Sequence, residues 1–359
     1  MPRLLIVGPW SSGHIQRWIG NIGPEFKIKV ITLHGNAPDI DGVEVIRLPA
    51  ITNTRLDFLL YVNKIKKITK DFSPDIIHAH FLSSYGIVAS FLSGYKKILS
   101  IWGTDVNGKI NTNLILRRLV KYSLGKYDII NVPAVHLADK IQSIRSIDNN
   151  RIHVFQYGVE TDKLPIKLER NDKTINICSI RNWAPLYHID DVLLGYKAFR
   201  EKFKSLDVKL HLYGGGDSFD ELRIKKLINE LDFSDEEFVF SGRVDREKLM
   251  SELSNMDLAV SIPDKDGTPL SLFEVLCIGV YPILSKIDAN IEWLDKSHAV
   301  FIDSYDKNEI ANKFAMACDK LKGDNYPMIV LNNRKNIVLH GDYNRNTQRM
   351  YNIYTDILK

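Results

Sequence analysis

The sequence predicts an α/β protein of two successive domains, each built on an open parallel sheet. The 359 residues exceed what one ordinary core accommodates and suit two domains. Short β-branched apolar runs alternate with longer stretches of helical period, the rhythm of strands buried by helices on both faces. That rhythm breaks once, over residues 158–173, a polar segment with Pro165 and no period, which reads as the linker.

Strands are expected before the break at residues 4–7, 28–32, 43–47, 76–78, 97–101, 129–132 and 152–155. After it they are expected at 174–180, 209–213, 238–240, 258–262, 281–284 and 299–302. Ligands of open parallel sheets bind beyond the carboxyl ends of the strands, so any chemistry should lie in the loops that follow strands. Past a break at 340–343, Met350, Tyr351, Ile353, Tyr354 and Ile357 recur at helical spacing, which predicts a terminal amphipathic helix over 344–358.

With 45% hydrophobic and 26% charged residues the composition is that of a globular chain without a disordered tail. The apolar run before Gly8 and Pro9 is too short for a secretory signal, and no stretch of about 18 apolar residues predicts a membrane span. Cys178, Cys277 and Cys318 are odd in number, far apart and in apolar surroundings, as expected of reduced thiols in a cytoplasmic protein.

The net charge of +4 is unevenly spread, residues 1–165 carrying 21 Lys+Arg against 13 Asp+Glu. Lys64, Lys66, Lys67 and Lys70 gather in one probable helix, and Arg117, Arg118, Lys121 and Lys126 in another. These are either solvated faces or a surface drawn to anionic lipid or to a phosphate-bearing acceptor; nucleic acid is not expected.

Candidate chemistry begins in the loop Gly8 to His14, where small residues let backbone amides near Gly13 approach an anion at a helix N-terminus, unless they simply make a turn. His78 and His80 alternate at a strand end and face one side; a metal pair lacks a third ligand, and His80 is the one expected near ligand. Trp102, Gly103, Thr104 and Asp105 follow the fifth strand, Asp105 suiting either sugar hydroxyls or a helix cap.

In the second half Arg181 and Asn182 follow a strand, where an arginine can make bidentate bonds to a diphosphate or a surface ion pair. Gly214 and Gly242 also follow strands and either admit a nucleotide or make turns. The most informative stretch runs from Asp266 through Gly267, Thr268, Pro269, Leu270 and Ser271 to Glu274 and Gly279. Proline suits a helix start and glycine its end, so amides of 267–271 would point at a ligand beside Asp266. A carboxylate at Glu274, amid apolar residues, is costly without hydrogen-bonding partners.

These residues resemble the retaining GT-B glycosyltransferases of family 4, whose signature is two acids separated by seven residues, at the start of and inside a helix, as Asp266 and Glu274 are. The Gly8–His14 loop, the 74–80 segment with His78 and His80, Gly103 to Asp105, Tyr157 to Val159, Arg181, Phe240 to Gly242 and the terminal helix also fit, over nearly the whole chain. The resemblance implies two Rossmann-like domains facing a central cleft. Residues 1–160 would be the acceptor-binding domain, 161–340 the nucleotide-sugar domain, and 341–359 a helix crossing back to the first.

By position, Glu274 would bind ribose, Asp266 the donor sugar, Arg181 the diphosphate, and Gly13 the same phosphates from across the cleft. The donor contacts would extend over Asn182, Gly214, Gly242 and 267–271, with His80, Trp102, Gly103 and Asp105 bordering the acceptor. Three departures stand out: Asp266 replaces the usual glutamate, Trp102 replaces a frequent histidine, and the lysine that often follows the arginine falls on Leu186, Tyr187 or His188. The implied activity is metal-independent transfer from a UDP- or GDP-sugar to a saccharide or lipid-linked saccharide, in cell-surface polysaccharide or glycoconjugate synthesis, at the cytoplasmic face of the membrane. A sugar-nucleotide epimerase of related fold and a catalytically silent sugar-nucleotide binder are the alternatives.

Overall fold

Alternating side chains on each strand enter different apolar clusters, which buries both sheet faces. In the first sheet Leu5, Val7, Ile31 and Ile77 join one cluster, while Leu4, Ile6, Ile28 and Ile76 join another. The period-two geometry of a strand requires this division, and it explains why these strands read as continuous apolar runs.

The computed structural model describes residues 1–33, 37–49, 51–52, 56–108, 110, 112–168 and 174–359. They form two units, Met1–Tyr157 with Tyr343–Lys359, and Gly158–Asp342. The first contains β1 (Arg3–Val7), β2 (Lys27–Thr32), β3 (Val43–Arg47), β4 (Ile76–His80), β5 (Lys96–Ser100), β6 (Ile129–Val132) and β7 (Ile152–Val154). Their order is β3-β2-β1-β4-β5-β6-β7. The second contains β8 (Ile175–Ser179), β9 (Val208–Tyr213), β10 (Phe238–Gly242), β11 (Leu258–Ser261), β12 (Tyr281–Ser285) and β13 (Val300–Ile302), ordered β10-β9-β8-β11-β12-β13. The pairings are parallel, and each expected strand is present with its ends shifted by at most two residues.

Strand order reverses between β1 and β4 in the first sheet and between β8 and β11 in the second. Loops leaving such a pair diverge to opposite faces and open a crevice at the strand ends. The Gly8–Gly13 loop and His80 lie at the first reversal; Arg181 and the Asp266 loop lie at the second.

The terminal helix, Tyr343–Ile357, packs on the first unit. Met350, Ile353 and Tyr354 enter the cluster that holds β1, and Tyr343 Oη donates to the Arg17 carbonyl at 2.6 Å.

The segment expected to link the domains is not a loose tether where it is described. Arg334 bonds the carbonyls of Thr161 and Leu164 at 3.0 Å each, and the Lys167 N–H meets the Ile278 carbonyl. This ties residues 161–167 to the second unit; the remaining part, 169–173, lies outside the described residues.

Candidate functional site

In the second unit β8 delivers Arg181 and β11 delivers the Asp266 loop to one place. Arg181 Nη1 donates to Ser271 Oγ at 2.8 Å, and Nη2 donates to Asp266 Oδ2 at 2.6 Å. The guanidinium lies 4.5 Å from the ring centroid of Tyr187, close enough for a cation–π contact. Arg181 is only 8% exposed, and its Nε is buried without a hydrogen-bond partner. A buried, incompletely bonded guanidinium is costly, and it leaves donor capacity for an anion.

The helix Leu270–Ile278 starts after Pro269, which supplies no side-chain cap, and ends at Gly279 with φ 102°. Asp266 Oδ1 also accepts from the Gly267 N–H at 2.7 Å. Ser271 and Glu274, three residues apart, share one helix face. Glu274 is 8% exposed and paired through Oε1 with Arg246, the first residue of the helix Arg246–Leu253. That partner was not anticipated, because Asp245-Arg246-Glu247 reads as an ordinary charged helix start. The pair meets the need for a partner that burial of Glu274 imposes.

Three expected donor residues have local architectural duties. Gly214 has φ 113°, and a Cβ there would lie 2.3 Å from the Arg181 carbonyl oxygen, so glycine lets the β9 loop back onto Arg181. Gly242, with φ 62°, accepts the Gly214 N–H at 2.8 Å. Asn182 is exposed, and its Oδ1 accepts from the Ala184 N–H at 2.8 Å, a local turn. Thr268 and Leu270 are half-buried, and Gly267 and Pro269 buried, at the same helix start.

The place of the absent lysine is occupied by an aromatic and a histidine. Tyr187 lies against Arg181, as above. His188 stacks on Tyr305 at 3.7 Å and bonds Asp191 through Nδ1 at 2.7 Å. Its Nε2 lies 2.8 Å from Asp264 Oδ1.

In the first unit, Gly13 opens the helix Gly13–Ile22, and a Cβ there would meet nothing within 4 Å. His80 Nδ1 bonds Tyr157 Oη at 3.0 Å, and the His78 ring lies 4.1 Å from it. His78 in turn bonds Tyr354 at 2.5 Å and Ser100 at 2.8 Å. Burial lowers the pKa of both histidines, His80 to about 3, and for His78 the neighbouring His80 adds to the effect. Both are therefore neutral imidazoles at neutral pH.

Trp102 stacks on Phe81 at 4.8 Å and contacts Tyr157 at 5.1 Å and His14 at 5.7 Å. The result is an aromatic floor at the ends of β1, β4, β5 and β7. The Asp105 carboxylate is held by backbone amides of the preceding loops, accepting the N–H groups of Leu82 at 2.7 Å, Gly103 at 2.9 Å and Trp102 at 3.1 Å. Burial still raises its pKa, against the lowering by those backbone bonds. Gly103, with φ 97°, makes the turn that brings these amides round.

Comparison with known proteins bears on the family and the fold. Residues 3–132 match the family model described as glycosyl transferase 4-like, and residues 160–322 match glycosyl transferases group 1. No curated protein matches the chain in sequence. Sucrose-phosphate synthase from Thermosynechococcus elongatus superposes with a TM-score of 0.78 at 13% identity, covering 99% of each chain. A glycosyltransferase from Rickettsia africae gives 0.73 at 16% identity, covering 100% of this chain and 99% of the other. Anabaena HepE in complex with UDP-glucose gives 0.75 at 12%, covering 99% and 100% respectively. The fold is that of the GT-B glycosyltransferases. With its two halves matched in order by the two models, the chain belongs to the glycosyltransferases, 4-like in its first half and group 1 in its second.

Proposed function

We propose that the protein moves a sugar from a UDP- or GDP-sugar to a saccharide or lipid-linked saccharide, with retention at the anomeric carbon and without a metal ion. The observation that carries this reading is the convergence of Arg181, Asp266 and Ser271 at the start of one helix that also holds Glu274. The structure of Anabaena HepE with UDP-glucose, and that of an E. coli protein with UDP-2-fluoro glucose, support a nucleotide-sugar donor for this fold.

The chemical difficulty is expelling a nucleoside diphosphate while positive charge grows on the sugar. Arg181 and the N-terminal amides of the helix Leu270–Ile278 supply positive potential where the phosphate becomes more negative, the role a metal ion would otherwise fill. Asp266 and Glu274 hold sugar and ribose hydroxyls. The anomeric C–O bond to phosphate breaks with its electron pair going to the phosphate oxygen. The acceptor oxygen bonds the same face, and its proton passes to that departing oxygen, so no separate base is required.

The first unit takes the acceptor, with Trp102 and His80 beside it. Its basic residues draw the protein to the cytoplasmic face of an anionic membrane, where lipid-linked saccharides for cell-surface polysaccharide or glycoconjugate synthesis are presented. The test is nucleoside diphosphate release from a panel of UDP- and GDP-sugars, with and without saccharide acceptors and with chelator, followed by the anomeric configuration of the product. Acceptor-dependent release that survives chelator and retains configuration is expected. Binding without release supports the silent binder, and a rearranged free sugar supports the epimerase.

A further inference from the structure

The helix Leu114–Leu124 presents an unusual surface. Asn113 caps it by accepting the Leu116 N–H at 2.9 Å, and the first two helical residues, Leu114 and Ile115, are 75% and 73% exposed. Adjacent aliphatic side chains standing this far into water at a helix start lose the burial that aliphatic residues usually gain.

Helical spacing places Leu114, Ile115, Arg118 and Tyr122 on one face, with Lys121 at its margin. Arg118, Lys121 and Tyr122 are exposed, and Lys126 lies over the Tyr122 ring at 4.9 Å. The opposite face, Val120, Ser123 and Leu124, is buried, with Ser123 Oγ donating to the Gly86 carbonyl at 3.1 Å. The helix contains Arg117, Arg118 and Lys121 and no acidic residue. Apolar tips, an interfacial tyrosine and uniformly basic charge on one rigid face form the chemistry of a surface that meets anionic lipid headgroups and dips into the acyl boundary. Packing the same face of a second copy against it would oppose cation to cation.

We propose that Leu114 and Ile115 insert into an anionic bilayer while Arg118 and Lys121 contact its headgroups, so that this helix docks the first unit on the membrane. This deepens the membrane part of the function proposed above and rests on it, but not on the donor site. Charge alone would hold the protein at the surface; the two apolar side chains add a component that salt does not screen.

The test uses flotation of the full chain with vesicles of phosphatidylcholine alone or with phosphatidylserine, at low and high salt. Wild type is expected to bind the anionic vesicles and to keep part of that binding at high salt. Leu114→Ser with Ile115→Ser should weaken binding at least about 10-fold and make the remainder fully salt-sensitive. Arg118→Gln with Lys121→Gln should remove the preference for anionic vesicles. The native cysteines are buried, so Leu114→Cys can be labelled selectively with a polarity-sensitive dye, whose emission should shift to the blue on anionic vesicles. If the Ser variant binds as wild type and the dye does not shift, insertion is wrong while electrostatic attraction stands. If wild type binds no vesicle, both fail; if the Ser substitutions instead abolish self-association or capture of an acidic protein without vesicle binding, the face serves a protein partner and the proposal is overturned.

Discussion

Nη2 of Arg181 lies 2.6 Å from Oδ2 of Asp266, although 85 residues separate them. The contact crosses the strand-order reversal between β8 and β11, where loops of the second unit diverge. On the proposed function, a diphosphate bound at Arg181 would share or replace that ion pair. Ser271 and Tyr187 keep the arginine in position meanwhile.

Arg181→Ala should lower nucleoside diphosphate release at least about 100-fold, a loss near 2.7 kcal/mol of transition-state stabilisation. Arg181→Lys should recover little, since one ammonium cannot reproduce the forked contact to Ser271 and Asp266. Steady-state release rates decide this, and near-normal turnover of the alanine variant refutes the assignment.

Glu274→Gln should cost at least about 100-fold in kcat/KM, because the amide cannot accept ribose hydroxyl bonds as a carboxylate does. Arg246→Ala should act mainly on donor KM, because Arg246 orients Glu274. Kinetics with donor varied at saturating acceptor separate the two, and an Arg246→Ala loss confined to kcat would contradict the orienting role.

Gly214→Ala should destabilise the second unit by about 1–3 kcal/mol or more, because both its φ of 113° and the Arg181 carbonyl oppose a side chain. Gly215→Ala is the milder comparison, since the nearest atoms its Cβ would meet belong to the Arg243 side chain rather than to backbone. Denaturant unfolding of the two variants should rank them in that order.

His78 and His80 are neutral in the native state, with pKa values depressed by burial below the 6.5 of an unfolded histidine. As pH falls below 6.5 the unfolded chain takes up protons that the native state refuses. Stability is therefore lost toward acid by about 1.4 kcal/mol per pH unit for each group. Asp105, raised by burial, has the opposite sign: its contribution is present at low pH and lost as pH rises through its native value. Urea unfolding between pH 8 and pH 5 should show the histidine slope, and His80→Gln should reduce it by about one proton; an unchanged slope would contradict the assignment.

Strand runs, the terminal helix and the Asp266–Glu274 segment were legible because each follows from a local period or from adjacent proline and glycine signals. Contacts between distant residues were not. Nothing near His78 points to Tyr354, 276 residues away, which holds its Nδ1. Arg246 stands in a run of surface charges, and Tyr187, which enters the sequence reading only as a place where a lysine is missing, lies against Arg181. For Asp105 the sequence left a cap and a ligand contact equally open, and three backbone amides took the carboxylate.

The most direct measurement is nucleotide binding to the wild-type chain and to Arg181→Ala and Glu274→Gln, followed by thermal unfolding with UDP, GDP and their sugar conjugates. At about 100 times Kd a true ligand adds about 2.7 kcal/mol to the folded state. At least one nucleotide should raise the wild-type midpoint and fail to do so in both variants. If no nucleotide raises it, or the variants respond as the wild type does, the cluster around Arg181 does not hold a nucleotide sugar.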